Sequence, residues 1–562
     1  MSTRSCLTVV LLVTAGLVAT AQEWQWTKGF GASGSNDHAR IAKDTVGNYY
    51  LGCSLAGLVV GSDTFGGFNV FVKLNGNGEP QWGGAPVLTG NSICSVLEDA
   101  PAPFVAAHPA GNDAYFAGEI CGEWLFGTQP VSEYGNGTQI FLAHYDANGD
   151  CTWVKIFGGS QSDHVAGLES TPTGELLLTY AGSAMTVDGI SVPTGVSILK
   201  FNAAGVCQWA TEVPLGSGSY SADIAAVEDG FYLASIALQG AGPLLTFDTV
   251  NVDVSERRFV LVKYNYDGHA LWGRSHGENM VHDPSPWMGT ITANNTGVLL
   301  SGYMSADTVL FGTDSLFGAS QMFLIRFGPD GDYLWSLVSS TLFGYDIWAS
   351  DMTMGHAGDA YVLCRLTPQQ PSTNVDVAGC TQVFDQIDYD SMYLIHLDTD
   401  GSCIQTVQAR TNSFGPGPGP EHGSWSLVLD GAEQPVVCGQ FRGTAAIGST
   451  TLSSGGNNYD VYVGRLDALT GVGEQRAPEG HDLLIYANPN QGSFRIKVPT
   501  ALLREKDLLL SVYDSSGRLV RAQQLDMSGG DPRMDVFGVG PGLYQVTLSK
   551  GDRIYHGSMV VE

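Results

Sequence analysis

Two kinds of side chain in this sequence have the types and spacing to do chemistry, and both recur. A glycine-rich stretch leads to an acid, sometimes with a histidine after it: FGASGSNDHARIAKD holds Asp37 and His38, and FGGSQSDHVAGLES holds Asp163 and His164. Asp223, Asp283 and Asp346 sit at a comparable phase. Carboxylates and imidazoles gathered from several copies of one motif would suit a metal ion or the hydroxyls of a sugar. An aspartate in a turn that opens a strand more often accepts hydrogen bonds from its own backbone, so the structural reading is favoured. Turns such as DTDGS (Asp398–Ser402) and PDGD (Pro329–Asp332) look faintly like calcium loops. A calcium loop spreads its ligands over about twelve residues and ends in a bidentate glutamate. Here the chain returns at once to a strand, so plain β-turns are expected and no metal or cofactor is assigned.

Cysteine is the second reactive type. The chain has ten, and without Cys6, in the leader described below, nine are left, so not all can pair internally. Cys94, Cys121 and Cys151 fall in one stretch, and Cys364, Cys380 and Cys403 in another, which allows one bridge in each. Cys53, Cys364 and Cys438 share one strand phase and read as small buried hydrophobes. No CxxC, nucleophile elbow, P-loop, HExxH or dinucleotide fingerprint is present. The 56 acidic residues offer many pairings for glycoside hydrolysis, but such a pair is defined by distance in the fold and the sequence gives it no positive support.

The elements that must position these groups repeat along the chain. The hairpin FVKLNGNGEPQW (Phe71–Trp82) joins an alternating apolar run, a turn of Asn75, Asn77 and Gly78, and a strand ending in tryptophan. Variants end at Trp153, Trp209, Trp272 and Trp335; a sixth has Gln405 in the tryptophan's place, and a seventh, VYVGRLDALTG, stops at its turn. EWQWTKGF (Glu23–Phe30) resembles the missing strand and is expected to pair with Tyr462–Asp467. A second strand recurs as VGNYYLGCS, NDAYFAGEI, GELLLTYAG and their relatives, followed by a shorter run such as AMTVDGISV or TVLFGTDSLFG. A period of roughly 55 to 70 residues with about four strands signals a propeller, and seven units imply seven blades. Donating the N-terminal strand to the last blade pairs edges that would otherwise stay open.

At the start, Arg4 precedes an apolar run from Leu7 to Val18, and Ala19-Thr20-Ala21 supplies small residues for cleavage. This reads as a signal peptide over 1–21, too short for a membrane span, with Cys6 misplaced for a lipoprotein. No later segment is expected to cross a membrane. Glycine at 73 of 562 residues exceeds the usual ~7%, as a turn-rich β protein requires. A net charge of −30 with only 26 Lys and Arg repels phosphate backbones and anionic lipid, which excludes nucleic acid as a partner. GPGPGPEHG (Gly415–Gly423) cannot join a ladder and reads as a surface loop.

The D-x-x-G-x-x-x-W pattern, as in YDANGDCTW, is similar to the tryptophan-docking motif of quinoprotein-type repeats. The longer unit, W-x-K-x-F-G-x-S-x-S-x-D-H followed by G-N-Y-Y-L-G, more closely resembles the bacterial SBBP β-propeller repeats of exported proteins. The second resemblance is preferred, because quinoprotein dehydrogenases have eight blades and a cofactor pocket that this sequence does not show.

After Asp467 the composition changes. A polar linker covers 468–481, and a different unit over 482–562 has short strands at the spacing of a small immunoglobulin-like β-sandwich. This unit resembles the type A C-terminal sorting domain of the type IX secretion system of Bacteroidota. The resemblance rests on Tyr486, Ala487, Asn488 and Pro489 at its start, on Asp514, Gly517 and Arg518 in the stretch Val512–Val520, on Gly542, Tyr544 and Val546, and on the last strand, Ser558–Val561. Ala487 departs from the family's usual proline, and the final strand lacks its common lysines. The resemblance implies export to the periplasm, recognition by the outer-membrane secretion machinery, and release or anchoring at the cell surface. The expectation is therefore an all-β protein, a seven-bladed propeller over 22–467 followed by a sorting domain. Its uniform repeats point to a non-enzymatic module binding a glycan or protein ligand. A polysaccharide hydrolase or lyase with its site at the channel mouth, or a structural surface component, are the alternatives.

Overall fold

The computed structural model describes residues 24–466 and 484–561 apart from short stretches, the longest being 91–101, 279–286 and 413–425; in the C-terminal part 487–491, 498–507, 514–518, 526–532 and 536–539 also lie outside it. The expected leader, the linker and the Gly415–Gly423 segment fall outside these residues. The described residues form strands and turns with no helix, and they fall into two compact units, one within 22–468 and one within 469–562.

The first unit contains seven antiparallel ladders among its described residues, four of them four-stranded and three extended to six strands. The first ladder orders His38–Lys43, Tyr49–Val60, Asp63–Leu74 and Pro80–Gly84 as neighbours. The next five repeat this order, opening with Phe104–Ala107, His164–Ser170, Ala222–Val227, Trp287–Asn294 and Asp346–Met354. The seventh orders Ser426–Leu429, Pro435–Arg442 and Tyr459–Leu466, and its fourth strand is Trp24–Phe30 from the start of the chain. There Phe30 lies opposite Val461 and Gly29 opposite Tyr462, with a register shift near Trp24.

The sequence reading counted the short runs among each unit's four strands. Each run instead folds into a hairpin of its own, as Met185–Val187 does with Ile190–Val192 and Leu244–Phe247 with Val250–Asp253, each two-residue turn opening on an aspartate at positive φ (Asp188 51°, Asp248 52°). The hairpins that begin at Thr308, Thr373 and Thr444 also pair with the last strand of the ladder before them. The member that completes each set of four is the opening strand, such as His38–Lys43 or His164–Ser170, which follows the glycine-rich turn.

The hairpins follow turn chemistry. In the first, the N–H groups of Asn77 and Glu79 both donate to Asn75 Oδ1 at 3.0 Å, and Gly78 takes φ 73°. Asp146 plays the same part in the second, where Gly149 has φ 89°. The tryptophan of each hairpin rests on the glycine of the next. Trp82 Nε1 donates to Ala147 O at 3.2 Å, Trp209 Nε1 to Tyr266 O at 3.2 Å, and Trp335 Nε1 to Thr399 O at 2.9 Å. A Cβ on Gly149 would sit 2.8 Å from the Trp82 ring. Gly149→Ala therefore combines left-handed backbone strain with overpacking, an expected loss of about 2–4 kcal/mol. Gly189, with φ 82° and open space around its Cβ position, should lose only the backbone part on the same substitution. Urea unfolding midpoints of the two variants test this ordering.

The core is divided between successive ladders. One apolar cluster joins Leu177 and Ile198 to Ile224 and Leu233, and another joins Leu299 and Leu324 to Val362 and Ile395. A further cluster joins Val436 and Val463 of the seventh ladder to Ile41, Leu51 and Val72 of the first. A basic residue recurs on the third strand and is held by an acid from the turn between the first two: His144 by Asp113 at 2.6 Å, Lys200 by Glu175 at 2.8 Å, Lys263 by Asp229 at 2.7 Å and His396 by Asp359 at 2.7 Å.

The second unit has a three-stranded sheet of Leu484–Tyr486, Ser493–Lys497 and Arg533–Asp535, and a four-stranded sheet of Leu519–Leu525, Leu508–Tyr513, Gly542–Lys550 and Arg553–Val561. Both contribute to one apolar cluster that includes Ile485, Phe494, Leu510, Val546 and Met559.

Candidate binding cavity

The first strands of the seven ladders surround one cavity of about 440 Å³ in the first unit. Each strand offers alternate residues to it, since one face must pack between ladders. Ile41, Leu168, Ile224, Ile291, Met352 and Leu427 are buried in the interladder clusters. The residues just before them, together with Phe104, give the cavity a level of Arg40, Phe104, Gly167, Asp223, Thr290, Asp351 and Ser426. One step further along the strands, Glu169 lies among small neighbours such as Ala42, Ala106 and Ala225.

Both aspartates of this level tie one ladder to the next. Asp223 Oδ1 accepts from its own neighbour's N–H, Ile224, at 2.9 Å, while Oδ2 accepts from the Thr290 hydroxyl and the Ile291 N–H, each at 3.1 Å. Asp351 repeats the arrangement: Oδ1 accepts from Met352 N–H at 2.8 Å, and Oδ2 from the Ser426 hydroxyl at 2.7 Å and Leu427 N–H at 2.8 Å. Burial pushes the Asp223 carboxyl up to about 6 despite these bonds, and it raises Asp351 as well. Glu169 has no hydrogen-bond partner among the described residues. Desolvation first, then the charges of Asp223 and Asp351, push its carboxyl up to about 8, so it carries a proton at neutral pH.

Of the two cations in the lining, Arg40 and Lys43, Arg40 stands at the level of the aspartates. Its guanidinium carbon lies 3.7 Å from the centre of the Phe104 ring, and its Nε is buried without a hydrogen-bond partner. Desolvation lowers its pKa, opposed chiefly by Asp351 and Asp223, and an arginine stays protonated through such a shift.

The acid–histidine motifs end elsewhere. Asp163 is fully buried and caps its own surroundings: Oδ2 accepts from Gly159 N–H at 2.6 Å, and Oδ1 from the Tyr180 hydroxyl at 2.6 Å and Ser183 N–H at 3.0 Å. His164 Nδ1 lies 2.9 Å from Glu119 Oε1, and that hydrogen bond raises the imidazole pKa. This is the structural role expected of the motif. Asp223 does not share that phase, for it stands on the cavity wall beside Ile224. Asp37 and Asp283 lie outside the described residues, as do the side chains of His38 and Asp346.

The calcium-like turns are ordinary ones. Asp398 Oδ1 accepts from Asp400 and Ser402 N–H at 3.0 and 2.8 Å, and Gly331 N–H donates to Gly328 O at 3.0 Å. No group of acids, histidines and cysteines among the described residues is arranged to hold a metal ion. Cys121 and Cys403 are disulfide-bonded, one from each cysteine-rich stretch. Cys53, Cys364 and Cys438 are buried free thiols, with ionisation suppressed by desolvation.

Of the sorting-motif residues, Tyr544 is buried and its hydroxyl donates to Gly540 O at 2.8 Å, and Gly542 opens its strand in an exposed position. Asn488, Pro489, Asp514 and Gly517 lie outside the described residues, as does the Tyr486 side chain.

The sequence reading did not single out Arg40, Glu169 or Asp351. The available signal was a charged residue standing alone among small ones on the strand after each glycine-rich turn.

This all-β chain carries at its C-terminal end an export domain: residues 484–562 match the family described as the secretion system C-terminal sorting domain. The protein is accordingly exported by type IX secretion and is secreted or displayed on the cell surface. No curated protein matches the chain in sequence. Similar solved structures include an ulvan lyase of polysaccharide lyase family 25 bound to a glucuronate–sulfated rhamnose unit, at 9% identity over 77% of this chain and 97% of that chain, TM-score 0.38. A Bacteroides vulgatus protein of a family of unknown function is 8% identical over 79% and 97%, TM-score 0.29. A family 32 glycoside hydrolase from Bifidobacterium adolescentis is 10% identical over 96% and 95%, TM-score 0.23. Among the described residues no helix is long and apolar enough to cross a membrane.

Proposed function

We propose that residues 22–467 form a seven-bladed β-propeller of SBBP-like repeats, closed by Trp24–Phe30, and that it serves as a non-enzymatic binding or adhesion module. The immunoglobulin-like unit of 482–562 delivers it through the type IX secretion machinery. The pairing of Trp24–Phe30 with Tyr459–Leu466 and the apolar cluster shared by the seventh and first ladders support closure. One observation carries the binding reading. Asp223 and Asp351 each accept three hydrogen bonds from the protein, which commits both to holding the ladders together rather than to acid–base work. Binding of the mature chain to a glycan array, with and without calcium and with turnover of each hit measured, tests it: retention without product is expected.

A polysaccharide hydrolase or lyase remains the second reading, favoured by Glu169 and Asp223 lining one cavity with carboxyls raised to about 8 and about 6. Product release in the same assay would replace the first reading with the second.

Removing residues 484–562 should leave the protein inside the cell envelope. Surface labelling of intact cells is expected to fall at least tenfold against the full chain. Equal labelling would sink the sorting role.

A further inference from the structure

The cavity holds a guanidinium with no hydrogen-bond acceptor among the described residues. Arg40 Nε is buried without an acceptor, its face is covered by Phe104, and the nearby aspartates bond hydroxyl and backbone donors instead of it. A buried donor without an acceptor is costly, and a guest that supplies one relieves that cost. On another strand of the same wall, Glu169 offers a hydroxyl donor and a carbonyl acceptor, with no partner among the described residues. A volume of about 440 Å³ suits a small molecule or the end of a chain.

Charge selects the guest. Asp223, Asp351, Asp430 and Glu433 outnumber Arg40 and Lys43 in the lining, and the whole chain carries −30, so an anion is repelled. A cation is drawn by those acids but finds them engaged, Asp223 and Asp351 by hydroxyl and backbone donors, Asp430 by Arg465 and Glu433 by His356. A neutral hydroxyl-rich molecule accepts from the guanidinium and donates to carboxyl oxygens without bringing charge. We propose that the cavity binds a neutral saccharide unit, its hydroxyl oxygens accepting from Arg40 and its other face meeting Glu169. This rests on the binding-module reading and adds to it the place and the ligand chemistry.

The test is calorimetric titration of the full mature chain with cellobiose, maltose, xylobiose and chitobiose, and with glucuronate and spermidine as charged comparisons. At least one neutral probe should bind. Arg40→Met should weaken it tenfold or more, and Glu169→Ala should weaken it severalfold, each variant first shown to keep its cooperative unfolding transition. Arg40→Lys guards against a misfolded methionine variant, and it too should bind more weakly because it cannot reproduce the fork of donors. Neutral-sugar binding that all three variants retain overturns the cavity assignment while the binding-module reading stands. Binding of glucuronate or spermidine alone overturns the ligand class. Binding of none of the probes overturns the inference, and the module reading then rests on the glycan array and on protein partners.

Discussion

Removal of Trp24–Phe30 should abolish the cooperative unfolding transition of the first unit and leave an aggregating chain. The segment is the fourth strand of the seventh ladder, paired with Tyr459–Leu466. Without it, Tyr459–Leu466 keeps Pro435–Arg442 as its partner and presents an open edge on its other side. The same segment reaches the first ladder. Trp26 packs against the Gly78 turn, whose glycine would place a Cβ 2.4 Å from the ring, and its ring centre lies 6.1 Å from that of Tyr49. Phe30 is buried in the cluster shared by the two ladders. Truncating one buried aromatic costs about 3–5 kcal/mol, and this deletion removes three aromatic anchors together with a ladder of backbone bonds. That matches the whole of an ordinary domain's stability, about 5–15 kcal/mol. Calorimetry and light scattering of the shortened chain read the outcome directly, and the peptide EWQWTKGF added in trans should restore part of the transition. A shortened chain that melts at the same temperature as a monomer would sink the closed-ring proposal.

That strand was legible in the sequence because Trp26, Lys28 and Phe30 reproduce the W-x-K-x-F run of the other repeats, as in Trp153, Lys155 and Phe157. The hairpin turns were legible for a similar reason, since Asn75, Asp146 and Asp398 each close a turn with a side-chain oxygen and a glycine at positive φ. The cavity was not. Its wall comes from seven strands with no residue type in common, and neighbouring wall positions carry arginine, phenylalanine, glycine and aspartate. Counting from the tryptophan also fails there, because a register shift lies between Val165 and Gly167 in the third ladder and between Ala349 and Asp351 in the sixth. Each shift alters the spacing, so Asp223 and Asp163, which look equivalent in the sequence, stand respectively on the cavity wall and in a capped turn. Nothing in the local sequence marks Arg40 or Glu169, because enclosure by strands far apart in sequence leaves no local trace.

Replacing Glu169 by glutamine should stabilise the protein in alkali and leave it unchanged in acid. The Glu169 carboxyl has an ordinary value of 4.5 and is pushed up to about 8 in the folded chain, first by desolvation and then by Asp223 and Asp351. Below 4.5 the group is protonated whether folded or unfolded, and it contributes no pH dependence. As pH rises through the interval from 4.5 to 8, the unfolded chain releases this proton and the folded chain keeps it, so folding stability falls; above 8 both forms are ionised and the loss levels off. Each pH unit in that window corresponds to about 1.4 kcal/mol, and water reaching the cavity screens part of it, which leaves a loss on the order of 2–4 kcal/mol. Glutamine fills the same space with an uncharged amide and has no proton to lose. Asp223 contributes a loss of the same sign between 3.8 and about 6 in both proteins, and its repulsion by Glu169 disappears in the variant. Urea midpoints at pH 4.5, 6, 7 and 8.5 should therefore coincide at the lowest pH and diverge upward, with the variant ahead by the full amount at pH 8.5. Parallel curves would mean that Glu169 ionises freely in the folded chain, and the neutral donor assigned to it in the cavity would be lost with it.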